Sequence, residues 1–129
     1  NITIHAGEGD GVSSIIDALD NGAMRIGHGV RIIEDINDGI IGPTASKIID
    51  LQIPLEICIT SNIHTNMYEN YEAHPISSLI DYGFNVYLNT DNRLMSNTSI
   101  SKEIEIAKNL GISDVDRLLK YSASDSFFD

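Results

Sequence analysis

Short apolar segments alternate along this chain with longer segments in which apolar residues recur every three or four positions. The short segments are typical of buried strands, and the longer ones are typical of helices with one apolar face. The predicted strands cover residues 2–4, 24–27, 55–59 and 85–88. A predicted helix follows each strand, over residues 12–20, 43–51, 75–82 and 100–110.

Three segments do not fit this alternation. Residues 30–42 are predicted as a loop with a helical turn around residues 32–36, and a long polar loop is predicted over residues 62–74. Near the C-terminus, Ser113 is followed three residues later by Asp116, which is the spacing of a capping box. This spacing predicts a last helix that begins at the serine.

Strands that alternate with helices form a parallel sheet with the helices packed outside it. Polar residues occur at the end of each predicted strand, at His5, His28, Ser61 and Asp91, about one β/α unit apart. Active sites lie at these strand ends both in (β/α)8 barrels and in open doubly wound sheets. Four strands alone are too few to close a packed barrel, which takes about eight. The pattern therefore predicts an α/β fold and leaves the two architectures open.

The charge balance excludes one class of partner. Asp and Glu number 19 against 8 for Lys and Arg, which gives a net charge of −11. Such a surface repels the phosphate backbone of nucleic acid, and no basic cluster overrides the net charge. No apolar run approaches membrane-spanning length. We therefore expect neither nucleic acid nor a membrane as a partner.

Length and cysteine content indicate the context of the chain. Its 129 residues fit one domain or a piece of a larger one, and 42% hydrophobic residues are enough for a core. The chain starts at Asn1, one residue before a predicted strand, so we expect a piece cut from a longer protein. The single cysteine, Cys58, cannot form an internal disulfide, which favours a reducing compartment such as the cytoplasm.

Titratable residues near the predicted strand ends suggest chemistry. His5 and Asp91 offer a nitrogen and an oxygen ligand that suit zinc or a similar divalent ion. Two ligands are too few, because a catalytic zinc site usually has three from the protein. Glu8 can carry a proton, and His28, which lies between two glycines, could reach a metal-bound water. The plainer alternatives are a structural role for His5 and a turn at Asp91 and Asn92.

The other polar residues do not by themselves indicate a catalytic or metal-binding role. Ser61 and Asn62 are predicted to bond the backbone at a strand end, with support of the site side chains as the alternative. His74 precedes Pro75 and is predicted at a helix entry, and His64 is predicted to be exposed. The chain has no Gly-x-Ser-x-Gly motif, and its cysteine is predicted within a strand, so neither a serine nor a cysteine hydrolase is indicated.

Several motifs, in order and at the approximate spacing, resemble those of the adenosine deaminase family. These motifs are His5-Ala6-Gly7-Glu8, Arg25-Ile26-Gly27-His28-Gly29, Leu55-Glu56-Ile57-Cys58 with Thr60-Ser61-Asn62, His74-Pro75 and Leu88-Asn89-Thr90-Asp91. The resemblance covers essentially the whole chain. It implies that residues 1–129 form the C-terminal half, strands five to eight, of a single TIM (β/α)8 barrel domain of a metal-dependent hydrolase, whose N-terminal half is absent.

The resemblance also implies a role for each site residue. His5 and Asp91 would be ligands of one Zn²⁺, and two further ligands would come from a His-x-His pair in the missing half. Glu8 would donate a proton to N1 of the purine, and His28 would orient the attacking water and take its proton. Asn92 would face N7 of the purine, where the commoner family pattern has a second Asp; an amide can still donate to N7.

The implied function is the hydrolytic deamination of adenosine and 2′-deoxyadenosine to inosine and ammonia by a zinc-activated water. The substrate partner is thus a purine nucleoside. The chain alone is expected to be inactive and to self-associate or fold poorly, because unpaired sheet edges favour association. Two alternatives remain, namely a related aminopurine or nucleotide deaminase of the same superfamily and a non-catalytic α/β binding module.

Overall fold

The computed structural model describes residues 2–120, so the two ends of the predicted 1–129 domain lie outside the described part. The strands there are β1 (Thr3–Ala6), β2 (Arg25–His28), β3 (Ile36–Asn37), β4 (Ile40–Ile41), β5 (Leu55–Ile57) and β6 (Val86–Leu88). The α-helices are α1 (Val12–Asp20), α2 (Pro43–Asp50), α3 (Ile59–His64), α4 (Ile76–Asp81), α5 (Arg93–Ser96) and α6 (Ile100–Asn109). Two 3₁₀ helices cover Val30–Asp35 and Arg117–Leu119.

Four of the strands form one parallel sheet in the order β1-β2-β5-β6. Thr3 pairs with Arg25 in the first strand pair, and Leu55 pairs with Val86 in the last. Helices connect successive strands of this sheet, as parallel pairing requires. The arrangement confirms the predicted α/β class, and it puts the carboxyl ends of all four strands at one edge of the sheet.

An apolar core lies between the sheet and the helices. The strands contribute Ile26, Leu55 and Ile57, and the helices α1 and α2 contribute Ile15 and Ile48; all five have no exposed surface. Full burial of a side chain of this size stabilises a fold by roughly 1.5–3 kcal/mol. This core holds the strands rigidly, and so it fixes the positions of the residues at their carboxyl ends.

The apolar face of α1 is narrow. Ile15 is fully buried, whereas the next residue, Ile16, is 41% exposed. Consecutive residues lie about 100° apart around a helix, so only one of the two can point at the sheet. The longest described helix, α6, has 10 residues, and no helix in residues 2–120 is long and apolar enough to cross a membrane.

The loop after β2 requires a glycine at position 29. Gly29 has a φ of 68°, in the left-handed region, and a Cβ there would lie 2.8 Å from Leu55 Cδ2. Its N–H donates to Ala6 O at 2.8 Å. The glycine therefore lets the chain leave β2 close to β1, so that the ends of the two strands stay together.

The third predicted strand, residues 55–59, ends two residues earlier than expected. β5 stops at Ile57, and Ile59–His64 forms the helix α3. Residues 60–62 therefore lie in a helix rather than at a strand end, and Cys58 is the N-cap of that helix rather than a residue within a strand. A short apolar run does not distinguish a buried strand from a buried helix, which explains the error.

The loop predicted over residues 30–42 contains more structure than expected. Its helical turn is confirmed as the 3₁₀ helix Val30–Asp35, but the hairpin of β3 and β4 that follows was not predicted. Asp35 O accepts from Gly42 N at 2.7 Å, and Asp35 Oδ2 accepts from Ala45 N at 2.8 Å. One aspartate thus closes the hairpin and satisfies a donor in the first turn of α2.

The predicted last helix from Ser113 is wrong for the part of the chain up to residue 120. Only the 3₁₀ helix Arg117–Leu119 forms there. Asp114 Oδ1, rather than the serine, accepts from Arg117 N at 3.3 Å. The aspartate one position after the serine thus bonds the N–H three residues further on, and one short turn is enough to bury Leu118 against the core.

Candidate active site

The carboxyl edge of the sheet brings four predicted site residues together. His5 lies in β1 and His28 ends β2, while Glu8 and Asp91 lie in the loops after β1 and β6. His28 Nε2 lies 3.4 Å from Glu8 Oε2 and 4.0 Å from Asp91 Oδ2. The ring centroids of the two histidines are 5.5 Å apart. The four side chains therefore surround one small volume, with the His28 ring at its base.

Three of these side chains carry atoms of the kind that bind metal ions. His5, His28 and Asp91 each offer one ligand-type atom, and these atoms all lie within 4.8 Å of one another. Imidazole nitrogen and carboxylate oxygen are donors that suit zinc, so the donor set fits this ion. Gly27 makes room for the first histidine, because a Cβ at that position would lie 3.0 Å from His5 Cδ2.

The backbone is strained at two of the site residues. His28 has a φ of 64° and Asp91 a φ of 51°, both in the left-handed region. Such a conformation costs a residue with a side chain on the order of 1–3 kcal/mol, and strain of this kind clusters at functional sites. The fold therefore maintains, at a cost in stability, the directions in which these two side chains point.

The electrostatic environment favours a neutral His28. The residue is 2% exposed, and loss of hydration lowers the pKa of the ring. The carboxylates of Glu8 and Asp91 oppose this shift, because they stabilise the protonated ring. Desolvation is the larger effect, so His28 is uncharged at neutral pH in this environment.

Ser61 contacts the site through its side chain. Its Oγ donates to Asp91 Oδ2 at 3.0 Å, from the middle of α3. Support of the site side chains was the alternative expectation for this residue, and it is the one that the structure confirms. His64, at the end of the same helix, is exposed as predicted.

A row of buried hydrogen bonds lies behind His28, and Asn62 in this row supports a site side chain, which was the alternative expectation for that residue. Its Nδ1 is 3.2 Å from Asn62 Nδ2, and Asn62 Oδ1 is 3.1 Å from His74 Nε2. His74 also stands at the start of α4, where Ile76 N donates to its Nδ1 at 3.2 Å. The predicted helix entry is thus confirmed, but the contact with the site was missed. The signal in the sequence that could have indicated it was the presence of Asn62 and His74 in the motifs Thr60-Ser61-Asn62 and His74-Pro75.

Asn92, the predicted substrate residue, caps a short helix. Its Oδ1 accepts from Leu94 N and Met95 N, both at 3.1 Å, at the start of α5. This helix was not predicted. Because the amide oxygen is used by the cap, the amide nitrogen Nδ2 is the part of the side chain left to donate elsewhere. The residue is exposed at the carboxyl edge of the sheet, one position after Asp91.

Known proteins resemble this chain throughout its length. The sequence profile of the family described as "Adenosine deaminase" matches residues 1–129. Adenosine deaminase 1 of Streptomyces coelicolor is 50% identical over 111 residues, which are 81% of this chain and 28% of that protein. The chain therefore spans less than a third of the length of this relative.

Two solved structures share the architecture. An adenine deaminase from Arthrobacter aurescens superposes with a TM-score of 0.88 at 28% identity, over 98% of this chain and 38% of that chain. An amidohydrolase from Burkholderia ambifaria, solved with bound Zn, superposes with a TM-score of 0.75 at 21% identity, over 91% of this chain and 33% of that chain. The four parallel β/α units are thus part of a (β/α)8 barrel of the deaminase and amidohydrolase type. The chain belongs to the adenosine deaminase family.

Proposed function

We propose that the complete protein containing this chain is a zinc-dependent adenosine deaminase. It hydrolyses adenosine and 2′-deoxyadenosine to inosine and ammonia. The observation that carries the proposal is the convergence of Glu8, His28 and Asp91, with His5, at the carboxyl edge of a parallel sheet in a chain of this family. Active sites of barrel enzymes lie at this edge.

Residues 1–129 are proposed to be the C-terminal half of a single barrel domain, strands five to eight. The sheet of the described residues has four strands and two outer edges, at β1 and β6, whereas a packed barrel takes about eight strands. The match to only 28% of a relative supports a larger parent protein. The N-terminal half is then the partner that completes the barrel and supplies a His-x-His pair.

One Zn²⁺ is proposed for the complete site, held by His5 and Asp91 together with two ligands from the other half. The nitrogen and oxygen donors within 4.8 Å of one another fit this ion. When bound, zinc would lower the pKa of a water ligand to about 7 and so supply a nucleophile at neutral pH.

Glu8 is proposed as the acid that gives a proton to N1 of the purine. Its carboxyl group points toward the site, 3.4 Å from His28, and its side chain is 28% exposed, so a substrate can reach it. A proton on N1 draws electron density from the ring and makes C6 electrophilic. General acid catalysis of this kind contributes roughly 10²–10⁴-fold to a rate.

His28 and Asp91 act on the attacking water. The water oxygen bonds to C6, the bond from C6 to the amino nitrogen breaks, and ammonia leaves. Of the two water protons, one leaves with the ammonia and the other replaces the proton that Glu8 gave to N1. His28, nearly buried beside both carboxylates, orients the water for this addition.

Asn92 is proposed to contact N7 of the purine through its amide nitrogen. The helix cap occupies the oxygen of the side chain, which leaves the amide nitrogen as its donor. N7 is an acceptor in every adenine, so a donor at this position suits the substrate class. An aspartate here would need a proton to make the same contact.

The proposed partners are small molecules and the remainder of the barrel. A net charge of −11 argues against nucleic acid, since like charges repel. The one cysteine in the sequence, Cys58, is a free thiol buried in the structure, which suits a reducing compartment such as the cytoplasm.

A second candidate is a relative that acts on another aminopurine or on a nucleotide. The adenine deaminase from Arthrobacter aurescens, 28% identical, shares the fold almost throughout this chain. A non-catalytic binding module on the same scaffold is the third candidate. Such a module would need neither a metal nor the proton-carrying side chain of Glu8.

A substrate panel separates these candidates. The complete protein would be offered adenosine, adenine and AMP, and the loss of the aminopurine absorbance would be followed before and after removal of metal with a chelator. We expect adenosine to react fastest, and we expect chelation to stop the reaction until zinc is restored. A faster reaction with adenine or AMP would favour the second candidate, and no reaction with any of them would favour the third.

A further inference from the structure

A row of buried hydrogen bonds between α4 and the candidate active site determines where its protons lie. The row begins at the backbone, where Ile76 N donates to His74 Nδ1 at 3.2 Å. A backbone N–H can only donate, so this Nδ1 carries no proton. Burial lowers the pKa of His74 to about 4, so the ring is neutral at pH 7. A neutral imidazole keeps one ring proton, which must therefore lie on Nε2.

The position of that proton decides the orientation of the Asn62 amide. Oxygen and nitrogen of an amide have nearly the same shape, so hydrogen bonding must distinguish them. His74 Nε2 donates, and the Asn62 atom 3.1 Å away must be the oxygen, because a flipped amide would set two donors against each other. The amide nitrogen then lies 3.2 Å from His28 Nδ1 and 3.5 Å from Met67 Sδ, two atoms that can accept.

The amide in turn decides the tautomer of His28. An amide nitrogen donates only, so His28 Nδ1 accepts and the ring proton lies on Nε2. That atom faces two acceptors, Glu8 Oε2 at 3.4 Å and Asp91 Oδ2 at 4.0 Å. His28, Asn62 and His74 are 2%, 0% and 4% exposed, so bulk water does not compete for these bonds.

We propose that Asn62 and His74 are positioning residues that hold His28 in the tautomer with a proton on Nε2. The consequence for the reaction rests on the proposed function, whereas the tautomer itself does not. In this state His28 donates a hydrogen bond to the attacking water, and it can neither bind a metal nor take a proton at Nε2. The water proton then passes to the carboxylate of Asp91, instead of to His28 as the family resemblance implied.

Long-range ¹H–¹⁵N NMR of the complete protein, labelled with ¹⁵N-histidine and free of metal, reads the tautomer without substrate. At about pH 8 the unperturbed histidine is neutral, so each ring carries one proton. We expect a protonated Nε2 and an unprotonated Nδ1 in both His28 and His74. A protonated Nδ1 in the neutral ring of His28 would overturn the proposal.

The variant Asn62→Asp changes the donor into an acceptor at nearly constant volume. A carboxylate still accepts from His74, but it cannot donate, so His28 should gain a proton on Nδ1. We expect kcat of the complete enzyme to fall about 10–100-fold, as for loss of comparable supporting contacts, with KM little changed. Asn70→Asp is the matched control. Asn70 is exposed, and its Oδ1 accepts a hydrogen bond from Ala73 N at 2.9 Å, which an aspartate can also accept. A folded Asn62→Asp variant with an unprotonated Nδ1 in His28 would contradict the proposal.

A second variant covers the case in which Asn62→Asp does not fold. His74→Phe keeps the ring but removes the donor, which frees the Asn62 amide to rotate. We then expect both tautomers of His28 in the spectrum, and a single unchanged tautomer would remove His74 from the proposal. If the wild-type protein has the expected tautomer but does not deaminate adenosine, the proposed function fails and this inference stands. If the wild-type protein deaminates adenosine but the neutral ring of His28 carries its proton on Nδ1, this inference fails and the proposed function stands.

Discussion

Ser61 Oγ donates a hydrogen bond of 3.0 Å to Asp91 Oδ2, and this bond joins the helix α3 to the loop after β6. The aspartate has a left-handed backbone with a φ of 51°. Its Oδ2 also lies 4.0 Å from His28 Nε2. The serine hydroxyl therefore fixes which carboxylate oxygen faces the histidine ring, and the other oxygen is not held by this bond.

Replacing Ser61 with alanine tests whether that bond prepares the carboxylate to bind metal. Partners that orient a metal ligand typically contribute about 10–100-fold to affinity, so we expect Ser61→Ala to weaken zinc binding in the complete enzyme by that factor. Competition with a chromophoric chelator measures it. Ser78→Ala is the control, because Ser78 is exposed on α4. Equal zinc affinity in Ser61→Ala and the wild-type enzyme would show that the bond does not matter for the metal.

The proton donor is tested by Glu8→Gln in the complete enzyme. Glutamine has nearly the same size as glutamate, but its amide cannot give N1 a proton as a carboxylic acid does. We expect zinc content and substrate binding to be kept, and kcat to fall roughly 10²–10⁴-fold. Glu105→Gln, on the exposed side of α6, makes the same chemical change away from the site. Near-normal turnover in Glu8→Gln would assign the proton to another group.

The parallel sheet and its polar edge were predictable because each strand is a local pattern. His5, His28 and Asp91 each lie in or just after a short apolar run, and parallel strands end at a common edge. The sequence could not reveal the row from His28 through Asn62 to His74, because these bonds depend on how α3 and α4 pack against the sheet. The sequence could not reveal α3 either, because Ile59 continues an apolar run that is equally typical of a strand.

Glu103 is a buried acidic side chain that the sequence analysis did not predict. It lies on α6 with no exposed surface, accepts from Thr60 N at 3.2 Å and from Thr98 Oγ1 at 2.7 Å. The first of these donors belongs to the opening turn of α3, which carries Ser61 and Asn62. The side chain of Glu103 on α6 thus satisfies a backbone N–H in the first turn of α3. We therefore expect it to help hold α3, and with it Ser61 and Asn62, in place.

Replacing Glu103 with alanine should therefore destabilise the protein. Thr60 N would remain buried without an acceptor, and an unsatisfied group of this kind costs about 1–3 kcal/mol. Thr98 Oγ1 would be left with the Thr60 hydroxyl, 3.5 Å away, in place of its 2.7 Å bond to Glu103. Glu103→Gln keeps an acceptor for Thr60 N, so we expect a smaller loss. Urea unfolding of the complete protein measures both variants, with the exposed Glu105→Ala as the reference. A loss no larger than that of the reference would mean that the buried carboxylate is not needed.

His74 should make the stability of the protein depend on pH. Burial lowers its pKa from 6.5 to about 4, so between these values the unfolded chain binds a proton that the folded chain does not. The free energy of unfolding therefore falls as the pH drops from 6.5 to 4, and His74 accounts for about 3 kcal/mol of this fall. Above pH 6.5 the ring is neutral in both states, so this loss does not occur. Denaturant unfolding between pH 8 and pH 4 measures the slope. His74→Phe cannot titrate, so a slope as steep as that of the wild-type protein would assign the pH dependence to other groups.

The last prediction concerns the isolated chain. Within residues 2–120 its parallel sheet has two outer strands, β1 and β6, and apolar side chains such as Leu94 and Met95 are 94% and 80% exposed. Unpaired strand edges and exposed apolar surface favour association. We expect residues 1–129 alone to self-associate or fold poorly, to hold zinc weakly after dialysis, and not to deaminate adenosine. Light scattering, elemental analysis and adenosine absorbance measure the three properties.

A separately made N-terminal half should reverse these properties, because it supplies the missing strand partners and the His-x-His ligands. Refolding the two halves together with zinc should restore a measurable loss of adenosine absorbance. The same mixture with His5→Ala lacks one ligand and should stay inactive, since a catalytic zinc site needs about three ligands from the protein and an open position. Activity in the chain alone, or in the His5→Ala mixture, would show that the described residues do not form half of a shared site.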